Sequence, residues 1–291
     1  MKKLNKPSGY SCWCGTDNYA IVFTVGTYSL YHCPNCGTFR NNPPPISDDS
    51  AAAAFYSEYY QDGHAKPQMR ETVRKSRFWK VFNRVPKSLW EQRRKVIDVG
   101  CGSGDLIAEL GEMGWSDPIG CDISKSRISN AKKTYPEYTF FDCGISELIP
   151  ENLNRDLVIL DNVVEHIPDP KGFLAELGEL LVKDGALVVI TPNMRSGNFR
   201  LLGKQWTPEL CPHTHIFLFT ENSLAKLAED AGYKVQYRGN FFVGHDWRKA
   251  YGSRLKSGDL KGLIWRMMQD LGSLYGRLIS NGEMIYIVAT K

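Results

Sequence analysis

The sequence predicts an α/β fold in which a parallel sheet carries helices on both faces, with a small β unit in front of it. From Lys95 onward, short apolar stretches rich in β-branched residues alternate with amphipathic stretches, which is typical of βαβ units. A glycine-rich turn follows the first of these strands, in "VIDVGCGSGD". Nearer the N-terminus, two pairs of cysteines flank a β-like stretch, "YAIVFTVGTYSLYH", which indicates a metal-binding module.

Length and charge narrow the function classes. The chain has 291 residues, enough for one large domain and a small module, and its net charge of +4 is too mild to indicate nucleic-acid binding by itself. The start, "MKKLNKPSGY", has no apolar segment of a signal peptide behind it, and no apolar run approaches the roughly 18 residues of a membrane span. We therefore expect a cytoplasmic protein whose eight cysteines bind metal or stay reduced.

Residues 1–42 are predicted to form a zinc ribbon, a structural site in which four thiolates leave no position open for water. "CPNCG" is a strong half-site, whereas "CWCG" has one residue fewer between its cysteines than usual. The alternative is a β-hairpin with reduced, unligated cysteines. The predicted zinc ligands are Cys12, Cys14, Cys33 and Cys36.

Residues 43–94 are predicted to be a linker and a helical prelude to the main domain. Consecutive prolines in "NNPPPISDD" exclude a helix or a central strand there. Residues 68–93 have a helical and basic pattern. A basic helix can follow a phosphate backbone, but a solvated helix face is the simpler interpretation.

Residues 95–291 form the main predicted domain, and each element has a local signal. Ser124 is a predicted helix cap, Thr220 and Glu221 begin another helix, and Gly232 ends it. The predicted strands are "KVIDV", "PIGCDI", "YTFFD", "DLVILD", "ALVVIT", "YKVQYRG" and "EMIYIVAT". The predicted helices are "DLIAELGEM", "SKSRISNAKKTY", "PKGFLAELGELLV" and "TENSLAKLAEDAG".

Two insertions interrupt the alternation, at about residues 192–219 and 244–282. The second contains "LIWRMMQDLGSLYGRLIS", whose apolar residues have helical spacing. We expect this amphipathic stretch, residues 263–279, to pack on its own domain or on a dimer partner. Contact with a membrane surface is the alternative. The chain itself is expected to be a monomer or a homodimer.

The glycine turn indicates a ligand beside the end of the first main strand. Its spacing differs from the G-x-G-x-x-G of dinucleotide sites, and the Lys and Ser/Thr of a P-loop are missing. Carboxylates on both sides, Asp98 and Asp105, disfavour a pyrophosphate and favour a cationic ligand. A nicotinamide enzyme or a non-catalytic α/β domain is the alternative. The predicted binding residues of this turn are Asp98, Gly100, Cys101, Gly102 and Gly104.

The next three strands also end in polar residues. Asp122 lies about where an acidic residue binds a ribose, and Asp142 is placed to accept a hydrogen bond from an adenine amino group. A ribose, an adenine and a cationic centre together indicate S-adenosylmethionine. The further predicted cofactor-binding residues are Asp122, Ile123, Asp142, Cys143, Asp161 and Asn162.

Residues 95–291 resemble class I S-adenosylmethionine-dependent methyltransferases. The resemblance is carried by "VIDVGCGSGD", "GCDIS", "FDCG", "DLVILDNVVEHIPDP" and "GALVVITPN", in that order. It implies a Rossmann-like seven-stranded sheet whose last strand is antiparallel. With the cysteine module and the "FYSEYYQDG" stretch, the whole chain resembles a bacterial subgroup that has an N-terminal zinc ribbon. Many members of that subgroup act in glycan or natural-product pathways.

Three residues are candidates for catalysis: His215, His166 and Glu165. Methyl transfer to a hydroxyl benefits from a general base, and histidine is the usual one near neutral pH. His166 and Glu165 lie in "NVVEHIPDP", and His215 lies in "CPHTHIFLF" together with the less favoured His213. A histidine that only shapes the loop is the alternative for each.

The same "NVVEHIPDP" stretch resembles the coenzyme Q O-methyltransferases, in which a Glu-x-x-Glu-His run is associated with a divalent metal. This chain has Asn162 at the position of the first Glu. With one carboxylate missing, we expect no metal at the active site.

The resemblance implies an enzyme that O-methylates a small molecule, a sugar or a natural-product intermediate. Transfer to nitrogen or carbon stays open. An rRNA or tRNA methyltransferase with a zinc ribbon is the second hypothesis, since the 66–95 region is basic. A non-catalytic module that binds the cofactor and a protein partner is the third.

Overall fold

The computed structural model describes residues 11–42, 76–91, 95–206, 211, 214–243 and 259–291. The strands are Ala20–Val25 (β1), Tyr28–His32 (β2), Phe39–Asn42 (β3), Lys95–Val99 (β4), Asp117–Cys121 (β5), Thr139–Phe141 (β6), Arg155–Asp161 (β7), Leu181–Pro192 (β8), Phe217–Leu218 (β9), Lys234–Phe241 (β10) and Met284–Thr290 (β11). The helices are Phe78–Phe82 (α1), Asp105–Glu112 (α2), Lys125–Thr134 (α3), Ile145–Leu148 (α4), Pro170–Leu177 (α5), Gly197–Leu202 (α6), Glu221–Asp230 (α7) and Leu260–Leu278 (α8).

Seven strands form the main sheet, in the order β10-β11-β8-β7-β4-β5-β6. β11 is antiparallel to both of its neighbours, β10 and β8, and the other neighbouring pairs are parallel. The predicted seven-stranded sheet with an antiparallel last strand is therefore confirmed. The chain runs outward from β4 through β5 to β6 and then returns to β7 on the other side. The carboxyl ends of β4, β5 and β7 consequently lie side by side.

The sheet has a buried core on each face. Ile97 and Val158 belong to one cluster, and their chain neighbours Val96 and Leu157 belong to the other. All four side chains are fully buried, because helices cover both faces of a parallel sheet and neither face meets water. This explains why the strands read as continuous apolar runs instead of alternating ones.

The cysteine module contributes to a second, smaller sheet of order β1-β2-β3-β9. β1 and β2 form the predicted hairpin, with Gly26 at a φ of 58° in the turn. β3 pairs with β9, which lies in the first insertion, through Phe39↔Leu218 and Arg40↔Phe217. One sheet thus joins the N-terminal module to the first insertion, a connection that no local pattern predicts. The predicted domain boundaries stay predictions.

The two insertions pack against each other through helices α6 and α8. A Cβ atom on Gly197 would lie 2.3 Å from the backbone of Gly272 and of Gly276. A Cβ on Gly272 would lie 2.1 Å from Asn198 Oδ1. The absence of side chains at these glycines lets the two backbones approach closely, and Asn198 Nδ2 donates to Ser273 Oγ across the contact (3.2 Å).

The predicted amphipathic helix of the second insertion is present as α8, and its inner side packs on α6. Its outer side has apolar residues that stay exposed among the described residues: Leu260, Ile264, Met267, Leu271, Leu274, Tyr275 and Leu278. Within the described ranges, no helix has the length and apolar character needed to cross a membrane.

Several boundaries differ from the sequence prediction. In the basic prelude the described part contains only the short helix α1 and a 3-10 turn at Lys87–Leu89. β8 begins at Leu181, five positions before the predicted "ALVVIT" strand, because a bulge accommodates the residues between Leu181 and Ala186. The helix predicted at "PKGFLAELGELLV" ends at Leu177 and continues as a 3-10 turn.

Replacing Gly197 by Ala is expected to destabilise the protein by about 1 to 3 kcal/mol, since the new methyl group meets backbone atoms that cannot rotate away. The free energy of unfolding, measured in urea, checks this. Gly144→Ala is the matched control because a Cβ there meets nothing within 4 Å and its φ is −79°. An equal effect of both substitutions would contradict the close packing of α6 and α8.

Candidate functional site

The glycine turn leaves the carboxyl end of β4 and leads into α2. Gly100, Gly102 and Gly104 have φ values of 78°, 57° and 82°, in the left-handed region that other residues rarely adopt. A Cβ on Gly100 would lie 2.5 Å from Val163 Cγ2, and one on Gly104 would lie 2.6 Å from the Phe140 ring. The turn therefore needs glycine both for its conformation and for its close contacts.

Hydrogen bonds fix this turn to the next strand. The backbone amides of Gly100 and Cys101 both donate to Cys121 O, at 2.8 and 3.0 Å. Gly102 N donates to Asp122 Oδ2 (3.0 Å), and Ser124 N donates to Asp122 Oδ1 (2.8 Å). Asp122 thus connects the glycine turn to the start of α3, in addition to its predicted role beside a ribose.

Three carboxylates approach one another where β4, β5 and β7 end. Burial raises the pKa of Asp98 to about 8, and the nearby charges of Asp161 and Asp122 add to the rise. Burial also raises the pKa of Asp161, although Arg77 Nε donates to its Oδ1 (2.7 Å). This clustering of carboxyl groups is consistent with the cationic ligand that the sequence predicts, which stays a prediction.

Asp105, in contrast, forms hydrogen bonds within the protein. It accepts hydrogen bonds from Ser103 Oγ and Tyr135 OH, both at 2.6 Å. Its carboxylate is therefore occupied in holding α2 to α3. The predicted preference for a cationic ligand therefore depends on Asp98, Asp122 and Asp161.

The remaining predicted cofactor residues lie along the same edge of the sheet. Ile123 and Asp142 are exposed after β5 and β6, and Cys143 is half-buried beside Asp142. Asn162, after β7, has a φ of 59° and donates its backbone amide to Ile190 O (2.9 Å). Its Oδ1 is buried and accepts no hydrogen bond from the described residues, which suits its predicted role in binding a ligand.

The three candidate catalytic residues lie together beyond the ends of β7 and β8. Glu165 is fully buried, and its Oε2 accepts from Thr191 Oγ1 (2.9 Å). His166 Nδ1 donates to Thr214 O (3.0 Å), and the rings of His166 and His215 pack edge to face with centroids 4.8 Å apart. The structure thus brings together residues from two distant stretches, whereas His213 lies outside the described residues.

Burial changes the proton affinity of this cluster. It raises the pKa of Glu165 to about 7 and lowers the pKa of His166 to about 4. His166 is consequently neutral at pH 7, with the proton on Nδ1, because a carbonyl oxygen can only accept.

The loop of His215 is held by the cysteine module. Asn41, in β3, donates its side-chain amide to His215 O (2.9 Å) and its backbone amide to Ile216 O (3.0 Å). Ile216 N in turn donates to Glu165 O (2.8 Å). These bonds connect the N-terminal module directly to the catalytic candidates.

The four predicted zinc ligands form one cluster, in which Cys14 is half-buried and the other three are buried. Cys12 Sγ lies 3.5 Å from Cys36 Sγ, and Cys14 Sγ lies 3.7 Å from Cys33 Sγ. All four sulfur atoms lie within 4.8 Å of one another. Zn–S bonds of about 2.3 Å in a tetrahedron place sulfur atoms about 3.8 Å apart, so these residues fit a structural zinc ion.

Comparison with known proteins identifies the main domain. Residues 69–237 match the family described as "Methyltransferase domain". The chain belongs to this methyltransferase family.

Relatives of the methyltransferase domain cover about half of the chain. It is 28% identical over 152 residues to the ubiquinone biosynthesis O-methyltransferase of Bordetella avium, spanning 48% of this chain and 62% of that protein. It is 29% identical over 146 residues to a probable S-adenosylmethionine-dependent methyltransferase of Mycolicibacterium smegmatis, spanning 49% and 53%. The chain thus matches less than two thirds of the length of these relatives.

Solved structures confirm the methyltransferase fold. Magnesium protoporphyrin IX methyltransferase from Synechocystis, solved with bound SAH, superimposes with a TM-score of 0.52 at 16% identity. The alignment covers 84% of this chain and all of that one.

Three contacts of the site were missed by sequence reasoning: those of Arg77, Arg127 and Asn41. Arg77 lies in the basic prelude, and nothing distinguishes it locally from the other basic residues. Arg127 Nη1 lies 3.8 Å from Asp122 Oδ2, and a Cβ on Gly102 would meet its guanidinium at 2.2 Å. The sequence signal that could have located Arg127 is its position in the first turn of the helix that follows Ser124, close to Asp122.

Replacing Asp98 by Asn is expected to stabilise the protein at alkaline pH. A raised carboxyl pKa means that the folded state holds the proton more tightly than the unfolded state. The contribution of Asp98 to stability therefore falls as pH rises from its ordinary pKa of 3.8 to about 8. The urea midpoint of Asp98→Asn should exceed that of the wild type at pH 8.5, with a smaller difference at pH 5.

The exposed Asp230→Asn variant is the control and should follow the wild-type pH profile. Asp98→Asn should also bind S-adenosylmethionine more weakly, because it lacks the negative charge. Parallel pH profiles for all three proteins would show that Asp98 is not a strained carboxylate.

Proposed function

We propose that this protein is an S-adenosylmethionine-dependent methyltransferase that O-methylates a small molecule. The observation that carries the proposal is the group of carboxyl side chains beside the glycine turn, of which Asp98 and Asp122 are buried and Asp161 is partly buried. It lies along the same sheet edge as the cluster of Glu165, His166 and His215. A site for a cation and a site for proton transfer are thus adjacent, as methyl transfer from a sulfonium to a hydroxyl requires.

In the proposed cofactor site, the residues at each strand end bind a different part of S-adenosylmethionine. Asp98 and the turn of Gly100, Gly102 and Gly104 face the methionine part, whose cationic groups offset the buried negative charge. Asp122 and Ile123 lie where the ribose binds, Asp142 and Cys143 serve the adenine, and Asp161 and Asn162 close the opposite side. Their positions at the ends of neighbouring strands support these roles.

His215 is the preferred general base. Methyl transfer is an in-line displacement, so the protein mainly aligns the two reactants and excludes water. His215 lies in the first insertion, is 6% exposed, and is held at its backbone by Asn41. His166 is a weaker base because burial lowers its pKa to about 4. It instead orients His215 through the ring contact.

A small hydroxyl compound is the best-supported class of acceptor. Two observations favour it: relatives with O-methyltransferase in their names, and buried catalytic candidates that a short acceptor can reach. We infer a glycan or natural-product intermediate and a cytoplasmic enzyme. The RNA hypothesis is not favoured, since Arg77 of the basic prelude pairs with Asp161 inside the site. A non-catalytic module is not favoured either, because the polar strand ends are intact.

The test is transfer of radiolabelled methyl from S-adenosylmethionine into cell extracts separated into small molecules, RNA and protein. We expect label in small molecules, with a mass increase of one methylene group. His215→Gln should lower kcat by about 10²- to 10⁴-fold and leave cofactor affinity unchanged, because the base acts on the acceptor. His32→Gln is the matched control. Label only in RNA would overturn the proposal.

We also propose that Cys12, Cys14, Cys33 and Cys36 bind one structural zinc ion. Purified protein should contain zinc at the cysteine module, and Cys33→Ser should lose it with a lower unfolding temperature, since metal binding contributes to folding. Metal analysis by mass spectrometry checks this. Cys143→Ser is the control outside the cluster. Zinc retained at the module in Cys33→Ser would contradict a four-cysteine site.

A further inference from the structure

One carboxylate oxygen of Glu165 is buried without a hydrogen-bond partner among the described residues. The side chain is fully buried, and Oε2 accepts from Thr191 Oγ1. Oε1 is also buried, yet it accepts no hydrogen bond within the described part of the chain. An unpartnered buried carboxylate oxygen is costly, so a partner at Oε1 would stabilise the folded protein.

Two imidazoles lie beside this oxygen. His166 Nε2 lies 4.0 Å from Glu165 Oε1, and its Nδ1 already donates to Thr214 O. His215 packs against the same ring, and the ligand atoms of all three residues lie within 4.8 Å of one another. A histidine whose second ring nitrogen donates to a backbone carbonyl is the usual arrangement around a protein-bound metal, because that bond fixes the tautomer.

We propose that Glu165, His166 and His215 bind one divalent transition-metal ion. Two imidazoles and one carboxylate suit zinc, iron or manganese, and three protein ligands leave a position open. The sequence expectation of no active-site metal rested on Asn162, which replaces a carboxylate. The structure supplies His215 from the first insertion as a third ligand instead.

The position of this site deepens the proposed function. When bound, a divalent ion lowers the pKa of a coordinated hydroxyl group, and this would replace the role of His215 as a free base, because the metal then occupies its lone pair. That role in acceptor activation rests on the proposed methyl transfer, whereas metal binding itself does not. The bonds of Asn41 and Ile216 to the His215 loop then also hold a metal ligand in place.

The experiment titrates Co²⁺ into chelator-treated full-length protein and follows its absorption spectrum. The wild type should take up two equivalents, one with thiolate-to-cobalt charge transfer from the cysteines and one without it. Glu165→Gln should keep the first and lose the second, with zinc affinity at that site falling about 10-fold or more. Glu283→Gln is the matched control, since this buried glutamate accepts from Ser273 Oγ and Val243 N away from the cluster.

Cofactor binding and the unfolding temperature report whether Glu165→Gln is folded, and His215→Gln provides a second ligand variant. A wild type that takes up only the thiolate-bound equivalent overturns the metal site, as does a folded Glu165→Gln that keeps both. Methyl transfer by such a protein would leave the proposed function standing. A second equivalent without any methyl transfer would support the metal site and count against the function.

Discussion

The position of β4 between β5 and β7 is the constraint on which the rest of the site depends. Because β4 pairs in parallel on both sides, three carboxyl ends meet at one edge, and each carries an aspartate. Buried apolar side chains on both faces of these strands fix the register, since a slip of one residue would move every side chain to the opposite face and disrupt the packing of both cores. The register in turn fixes the distances among Asp98, Asp122 and Asp161. The packing of the core thus holds the three carboxyl groups close together in spite of their mutual repulsion.

The second constraint is the pairing of β3 with β9. It is only two residue pairs long, but it connects the cysteine module to the loop that carries His215. Arg40 strengthens the contact, because its guanidinium lies over the Phe217 ring (5.5 Å) and its Nη1 donates to Ser11 O (2.8 Å). The cysteine cluster lies just before β3 in the chain. β3 therefore connects the cysteine cluster to the loop of His215, and we expect a change in the cluster to alter the position of that loop.

The sequence predicted the features that depend on local pattern. The strands from β4 to β8, the glycine turn and the helix of the second insertion follow from apolar spacing, from glycine and from capping residues. The contacts that complete the site instead join residues that are far apart in the sequence. Asn41 and His215 are 174 positions apart, and Arg77 and Asp161 are 84 apart. Sequence periodicity contains no information about such distant pairs. His215 was therefore predicted as a candidate, but its contact with Asn41 in β3 was not. The expectation of no active-site metal depended on a single local substitution, whereas the proposed metal site adds a ligand, His215, from another stretch.

Asp98 and Glu165 illustrate one physical rule at two adjacent places. Each is a buried carboxyl whose pKa is raised, and neither has a lysine or arginine bonded directly to it among the described contacts. A protein that served only its own stability would gain by replacing such groups, since burying them ionised costs free energy. In the two proposed sites a cation would offset this cost, the sulfonium cofactor beside Asp98 and a divalent ion beside Glu165. Arg77 pairs with Asp161, and Arg127 lies beside Asp122. These two arginines reduce the net negative charge of the site, but neither is bonded to Asp98. The pattern of missing counter-ions therefore supports both proposals, and the two proposed sites lie along one edge of the sheet.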